Sequence, residues 1–312
     1  MSSLLSCLYP LIAIALWAGN VVVSRLAAGA ISPPAITFYR LVLALALMSL
    51  FVLKPAWRNR AAICAQWPRL ACLGLMSMTL YQVLSYLAAR STTATNMAIL
   101  TSLTPLLTMG WSVWLLREVP TRGMVLGSGV SLVGLLYLIS GGHLAQLLQG
   151  GLHKGDALMF VAAASYGLYS VLVRRWHVGL PTWQSTYVQA CSTMFVMAPV
   201  FAWLPAGQAP LDAQTLPLIA YAGSLASVVL PYCWMQGVQR LGPNRASMFM
   251  NLLPVFTAAI AAVLLGEVPQ RHHWIGGGLA LAGVALAQWW SQPLRSPAVK
   301  SMAPVRPPVS RP

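Results

Sequence analysis

The stretch from Pro105 to Gly134 returns 149 positions later with its spacing kept. Pro105 is matched by Pro254, Leu115-Leu116 by Leu264-Leu265, and Glu118-Val119-Pro120 by Glu267-Val268-Pro269. Arg122, Gly127 and Gly134 are matched by Arg271, Gly276 and Gly283. The same offset reaches back without a gap to Gly74 with Gly223, Arg25 with Arg174, and Trp17 with Tyr166. The chain is one unit of about 149 residues written twice. Whatever one copy folds into, the other must also fold into, and the two must then pack together.

The solvent of that fold follows from charge. Of 312 residues only 7% are charged and 58% are hydrophobic, with a mean hydropathy of +0.71. A soluble domain carries roughly 25% charged residues, so lipid must solvate most of this surface. The net charge of +15 would suggest nucleic acid in a soluble protein. Here the basic residues stand between apolar runs, where they report orientation, and no nucleic-acid partner is expected.

Backbone satisfaction in lipid allows only helices or a closed barrel, and no barrel-length alternation with period two is present. A helix needs about 20 apolar residues to cross. Such runs fall near 4–26, 33–53, 68–89, 94–116 and 121–140, and again near 155–175, 182–204, 215–237, 244–266 and 272–291. The expected fold is all-α and integral to the membrane, with ten transmembrane helices in two five-helix repeats, 1–142 and 155–291. Residues 143–154 form the linker, whose middle, Leu144 to Leu148, suits a short interfacial helix. Residues 292–312 form a Pro-rich basic tail expected to be disordered. The N-terminal run reads as a first spanning helix and not as a cleaved signal.

Lys and Arg alternate by loop. With a cytoplasmic N-terminus, one side holds Lys54, Arg58, Arg60, Arg69, Arg117, Arg122, Arg174, Arg175, Arg240, Arg245 and the basic tail. The other holds Arg90, Lys154 and Arg271, with Arg25 and Arg40 near helix ends. Both termini are therefore expected in the cytoplasm. An odd number of helices per repeat sends the second copy through the membrane upside down. Inverted duplication of this kind is how many transporters build two gates around one central site.

Ten spans, an early Trp17-Ala18-Gly19-Asn20, the Tyr39-Arg40 pair, and a proline followed thirteen residues later by glutamate in both halves (Pro105/Glu118, Pro254/Glu267) are together informative. They resemble the EamA-type branch of the drug/metabolite transporter superfamily, over residues 4 to 291. The resemblance implies a bacterial inner (plasma) membrane carrier, commonly an exporter of amino acids or related metabolites. It leaves the substrate open.

Polar and aromatic groups at mid-helix depth are costly and mark candidate cavity walls. The candidates for substrate binding are Trp17, Asn20, Tyr81, Gln82, Tyr86, Ser102, Tyr166, Tyr169, Trp234 and Asn251, with Ser85, Thr101, Thr104, Ser165, Ser227 and Thr257 nearby. For the serines and threonines, hydrogen bonding between helices without a ligand is the favoured reading, and for Asn20, Gln82 and Asn251 both readings stand. Pro105 and Pro254 each remove a mid-helix hydrogen bond and should kink their helices. Arg40, about 10 Å inside its helix, is expected to snorkel to the interface; the alternative is a carboxylate-binding or gating cation. Glu118 and Glu267 are expected to cap helices or pair with Arg122 and Arg271. The glycines of the fifth and tenth spans suit close packing, either between the halves or in a homodimer.

The five cysteines show no metal or disulfide spacing. The adjacent His272 and His273 should point apart on a helix, so no shared metal is expected. No cofactor is indicated. An intramembrane enzyme would need a deep acid, base or nucleophile pair, and none of Glu118, Asp156, Asp212 and Glu267 is placed mid-span. The same placement argues against a proton-coupled pump for cationic drugs, which needs a carboxylate in the first helix of the repeat. A sugar-phosphate carrier would need Lys or Arg near the midplane and stays open. The partners expected are a small-molecule substrate and the lipid bilayer.

Overall fold

The computed structural model describes residues 2–27, 30–89, 91, 97, 100–143, 145, 154–205, 207, 209–265, 270–290 and 292. Glu267, the expected interfacial helix around Leu144 to Leu148 apart from Ala145, and the tail beyond Gln292 lie outside the described residues, as does the side chain of Tyr86.

The described residues form helices and no strand. In the first copy these are α1 (Ser2–Ala27), α2 (Pro33–Arg58), α3 (Arg60–Gly74), α4 (Tyr81–Ala89), α5 (Thr104–Leu116) and α6 (Arg122–Ile139). A π-helical stretch, Leu75–Leu80, joins α3 to α4 in one rod. The second copy has α7 (Lys154–Trp176), α8 (Thr182–Ala202), α9 (Thr215–Ser224), α10 (Leu230–Leu241), α11 (Pro243–Met248), α12 (Leu253–Leu265) and α13 (Arg271–Trp289). A second π-helical stretch, Leu225–Val229, joins α9 to α10, and a 3-10 turn, Phe249–Leu252, joins α11 to α12. Shifted by the repeat offset, the first π stretch falls on positions 224–229, so both copies widen the same turn. Such turns weaken the helix and are common where function requires it.

Local chemistry sets the boundaries. Thr121 caps α6 by accepting from the Met124 amide at 3.2 Å. At its other end Gly141 and Gly142 take φ of 63° and 88°, and the Gly142 amide closes back on the Tyr137 carbonyl at 3.0 Å. Pro105 stands in the first turn of α5, after a break at Leu103, and Pro254 stands in the first turn of α12, after the 3-10 turn. Both prolines thus begin helical segments, where a missing N–H is harmless. They do not notch the middle of a continuous helix, as their sequence position suggested.

Five stretches are each long and apolar enough to cross a membrane: Leu5–Val23, Pro33–Arg58, Arg122–Ile139, Lys154–Trp176 and Thr215–Leu241. Leu100–Leu116 is a shorter apolar helix. α8 carries its polarity inward instead, burying Thr182, Gln184, Ser185, Thr186, Gln189, Ser192 and Thr193. Burial is inverted across the molecule. Thr104, Thr108, Ser170 and Thr186 are fully buried, whereas Leu50, Phe195 and Val263 are 85%, 82% and 83% exposed. In water that arrangement would be unstable; in lipid the outer apolar side chains are solvated and the polar ones find partners inside.

The glycines of α6 and α13 close a seam within the chain. A Cβ on Gly127 would lie 2.4 Å from the Gly283 carbonyl oxygen, and one on Gly276 would lie 2.5 Å from the Gly134 oxygen. These two contacts map onto each other by the repeat offset, so the seam straddles the pseudo-two-fold axis. Gly129 and Gly278, also repeat mates, have open space beside them.

Candidate functional site

A cavity of about 650 Å³ lies between the two copies. Its floor is aromatic. Trp17 of α1 and Tyr166 of α7 occupy the same place in each repeat, and their rings meet at 5.2 Å between centroids. Tyr81 and Trp234 complete the cluster, 5.3 Å and 5.7 Å from Tyr166, and Tyr169 adds a ring at 5.4 Å. Edge-to-face and tilted pairs of this kind lock one another while leaving ring faces for an apolar ligand body. That two repeat mates touch means the pseudo-two-fold axis passes between them.

Above the aromatic floor the wall becomes polar. Asn20, Gln82, Ser85, Thr101 and Ser102 line it, with Ser77 and Met78 from the first π stretch and Ala226 and Ser227 from the second. The second π stretch holds Arg40. The guanidinium Nε donates to Ser227 Oγ at 2.7 Å and Nη2 donates to the Ala226 carbonyl at 3.2 Å. The expected snorkelling of Arg40 is therefore corrected. A hydroxyl and a carbonyl at a disturbed turn offer better acceptors than the hydrocarbon route outward, so the side chain turns in and lines the cavity. His273 lines it as well, and its Nδ1 accepts from the Gln270 amide at 3.0 Å. The His272 and His273 rings, expected to point apart, lie 4.1 Å from each other, because this amide bond draws His273 back over the first turn.

The lining is one-sided along the helix axes. It takes the early residues of α2 (Thr37, Arg40) and α13 (His273) and the first half of α12 (Leu253, Pro254, Thr257, Ala258). The opposite end is packed more closely, around a smaller cavity of about 280 Å³ lined by Val173, His177, Pro181, Ser185, Met235 and Gln239. There a Cβ on Gly237 would meet Pro10 at 3.0 Å, and the Arg240 guanidinium lies 4.4 Å over the Tyr9 ring. Arg174 Nη1 donates to the Gln239 carbonyl at 3.0 Å, and Arg175 donates to the Leu115 carbonyl. Glu118 accepts from Asn244 Nδ2 of the other repeat at 3.3 Å, a link between halves in place of the expected pairing near Arg122.

Of the residues singled out from sequence, Trp17, Asn20, Tyr81, Gln82, Ser102, Tyr166, Tyr169 and Trp234 come together on the wall. Asn251 does not reach it: fully buried, it donates to Ser131 Oγ at 3.0 Å. Pro254 lines the cavity and Pro105, its mate, is buried in the more closely packed half. The sequence reading passed over Thr37, Ser77, Met78 and Leu135. The repeat offset could have found Met78, since its mate is Ser227, already a candidate. No cluster of three or more metal-ligating side chains occurs among the described residues.

Residues 4–140 and 153–289 each match the family model of the EamA-like transporter family. The uncharacterized transporter YyaM of Bacillus subtilis is 25% identical over 261 residues, covering 83% of this chain and 85% of its own. An uncharacterized transporter of Archaeoglobus fulgidus is 27% identical over 276 residues, 87% of this chain and 93% of its own. A probable terminal-alkyne amino-acid exporter of Streptantibioticus cattleyicolor is 26% identical over 224 residues, 70% of this chain and 72% of its own. One crystal structure shares the fold with a TM-score of 0.71 at 20% identity, over 90% of this chain and 96% of the other.

Proposed function

Because the chain belongs to the EamA-like transporter family, whose members are multi-pass membrane transporters, we propose that it exports amino acids or related small metabolites across the bacterial inner membrane by alternating access. In this reading the chain crosses ten times with both termini in the cytoplasm, and the more closely packed end of the bundle faces the cytoplasm. The observation that carries it is the cavity between the repeats, walled by the touching mates Trp17 and Tyr166. Its aromatic floor suits an apolar or aromatic body. Its polar wall, with Arg40 turned inward, suits a carboxylate.

No carboxylate lies among the described lining residues, so a permanent cation would enter a site holding Arg40 without compensation. That weighs against cationic-drug efflux. A second reading, a sugar-phosphate or similar anion carrier, is favoured by one observation, the inward turn of Arg40 into a cavity that His273 also lines. A homodimer would use the edges of α6 and α13 at Gly129 and Gly278, since the other seam glycines are occupied within the chain.

The test is uptake into inverted vesicles across amino acids, quaternary ammonium dyes and sugar phosphates, with growth on toxic amino-acid analogues in parallel. Uptake of amino acids and resistance to their analogues are expected. Resistance to ethidium-like dyes with no effect on the analogues would overturn the reading and point to cation–π binding by Trp17 and Tyr166.

A further inference from the structure

Behind the α7–α8 turn, at the more closely packed end, lies the second cavity, of about 280 Å³. It is no image of the central one. Carried through the repeat offset, the residues that line the central cavity fall on none of those that line this one. The image of the second cavity is instead a solid core. The mates of its wall residues Leu70, Leu180 and Ser185 are Ile219, Ile31 and Ile36, which pack with Ala27, Ala35 and Phe201 in one apolar cluster. One end of the bundle fills what the other leaves hollow.

Where the filled site has Ile36, the hollow one has the hydroxyl of Ser185. That residue is 2% exposed and lines the cavity. On the same helix Thr186, Ser192 and Thr193 turn their hydroxyls back on the carbonyls four residues earlier, at 3.0 Å, 2.9 Å and 3.1 Å. The Ser185 hydroxyl makes no hydrogen bond among the described residues. A buried hydroxyl without a partner is costly, and the isoleucine of its mate would avoid that cost.

Two further polar groups share the wall. Gln239 accepts through its amide oxygen from Thr182 Oγ1 at 3.3 Å, and its Nε2 makes no hydrogen bond among the described residues. Arg174 Nη1 donates to the Gln239 carbonyl at 3.0 Å, which holds a positive charge beside this wall. His177, exposed, takes φ of 34°, a left-handed conformation unusual for a residue with a side chain, in the turn that edges the cavity. Leu70, Leu73, Val173 and Met235 make the lining otherwise apolar, and no acid is among the described lining residues.

We infer that this cavity is a second ligand site, separate from the central one, for a small carboxylate with an aliphatic body. Ser185 and Gln239 donate to the head, His177 can donate a further bond, and Arg174 supplies the positive field. Leu70, Leu73, Val173 and Met235 enclose the body. The space equals roughly nine waters at their share of about 30 Å³ each in the liquid, which suits a solute of about that many non-hydrogen atoms. A ligand there bridges α3, α10 and the α7–α8 turn, so it stabilises their packing by mass action. It acts as an effector on the carrier and is not itself on the path between the repeats.

The experiment uses Ser185→Cys, a nearly isosteric exchange, in a chain whose five native cysteines are replaced by alanine. The thiol is reacted with a small methanethiosulfonate, alone or with leucine, isocaproate or isoamylamine. These probes share a branched aliphatic body and carry a carboxylate with an amine, a carboxylate alone, or an amine alone. The thiol should react, and each carboxylate should slow it about tenfold at ten times its dissociation constant, the amine not at all. Protection by leucine only would assign the ligand to amino acids, and protection by both to carboxylates at large; either result upholds the site. A folded protein whose thiol does not react, no protection by either carboxylate, as for a cavity that holds only water, or equal protection by the amine would overturn it. If Ser185→Cys does not fold, thermal midpoints decide. Leucine and isocaproate should raise the midpoint of the wild type and of Arg40→Gln but not of Ser185→Ile, which restores the packing of the mate. A rise lost in Arg40→Gln and kept in Ser185→Ile would put the probe in the central cavity and refute the second site. None of these readouts depends on which solute the central cavity carries, so a failed substrate panel would count against the proposed function alone.

Discussion

The α6–α13 seam makes a quantitative prediction because two glycines two residues apart on one helix differ only in what faces them. A methyl on Gly127 would lie 2.4 Å from the Gly283 oxygen and 2.9 Å from the Ala287 amide nitrogen, whereas a methyl on Gly129 meets nothing within 4 Å. Carbon–oxygen contacts in close helix packing run near 3.3–3.6 Å, so Gly127→Ala must push α13 away by about 1 Å. Overpacking of this size costs about 1–3 kcal/mol. Alanine's advantage over glycine in a helix, about 1 kcal/mol, is common to both variants and cancels in their difference. Gly127→Ala should therefore be less stable than Gly129→Ala by about 1–3 kcal/mol, read as a thermal midpoint lower by several degrees in mild detergent. The mirror pair Gly276→Ala and Gly278→Ala should repeat the result, since Gly276 faces the Gly134 oxygen and Gly278 faces open space. Equal midpoints within either pair would refute the seam as described.

Trp17→Ala and Tyr166→Ala should each lower transport at least tenfold with normal membrane levels, because each removes a ring from the cluster centred on Tyr166; normal transport by both would show that the cavity floor is not where the solute sits. Arg40→Gln should raise KM about tenfold for carboxylate solutes, the worth of one charge-assisted hydrogen bond, and leave KM for their amides unchanged; an equal loss for acid and amide would reduce Arg40 to its structural bonds with Ser227 and Ala226. Reporters fused at either terminus should be active only in the cytoplasm, and a periplasmic C-terminal signal would reverse the assignment of the more closely packed end.

What the sequence determined by itself is periodic or additive along the chain. The offset between Pro105 and Pro254, or between Trp17 and Tyr166, is a property of the string, and so is the scarcity of charge that makes lipid the solvent. The aromatic and polar candidates were found the same way, because a tyrosine or glutamine at depth is costly wherever it faces. Facing itself was decided only in the tertiary structure. Helices apolar on every side give no amphipathic stripe to orient them, so sequence could not say that Asn251 turns to Ser131 and away from the cavity while Arg40 turns into it. Nor could it choose which of two equivalent ends is open. The two copies share their spacing but differ at many positions, Arg40 against Gln189 and His273 against Met124 among them, and only the packing decides which difference opens an end. Here Gly237 packs against Pro10 and Gly74 against Gln189 at one end, and at the other Gly223 packs as closely against Leu43 while Arg40 and His273 line the cavity. Close backbone approach depends on both surfaces at once, and neither copy of the repeat encodes it alone.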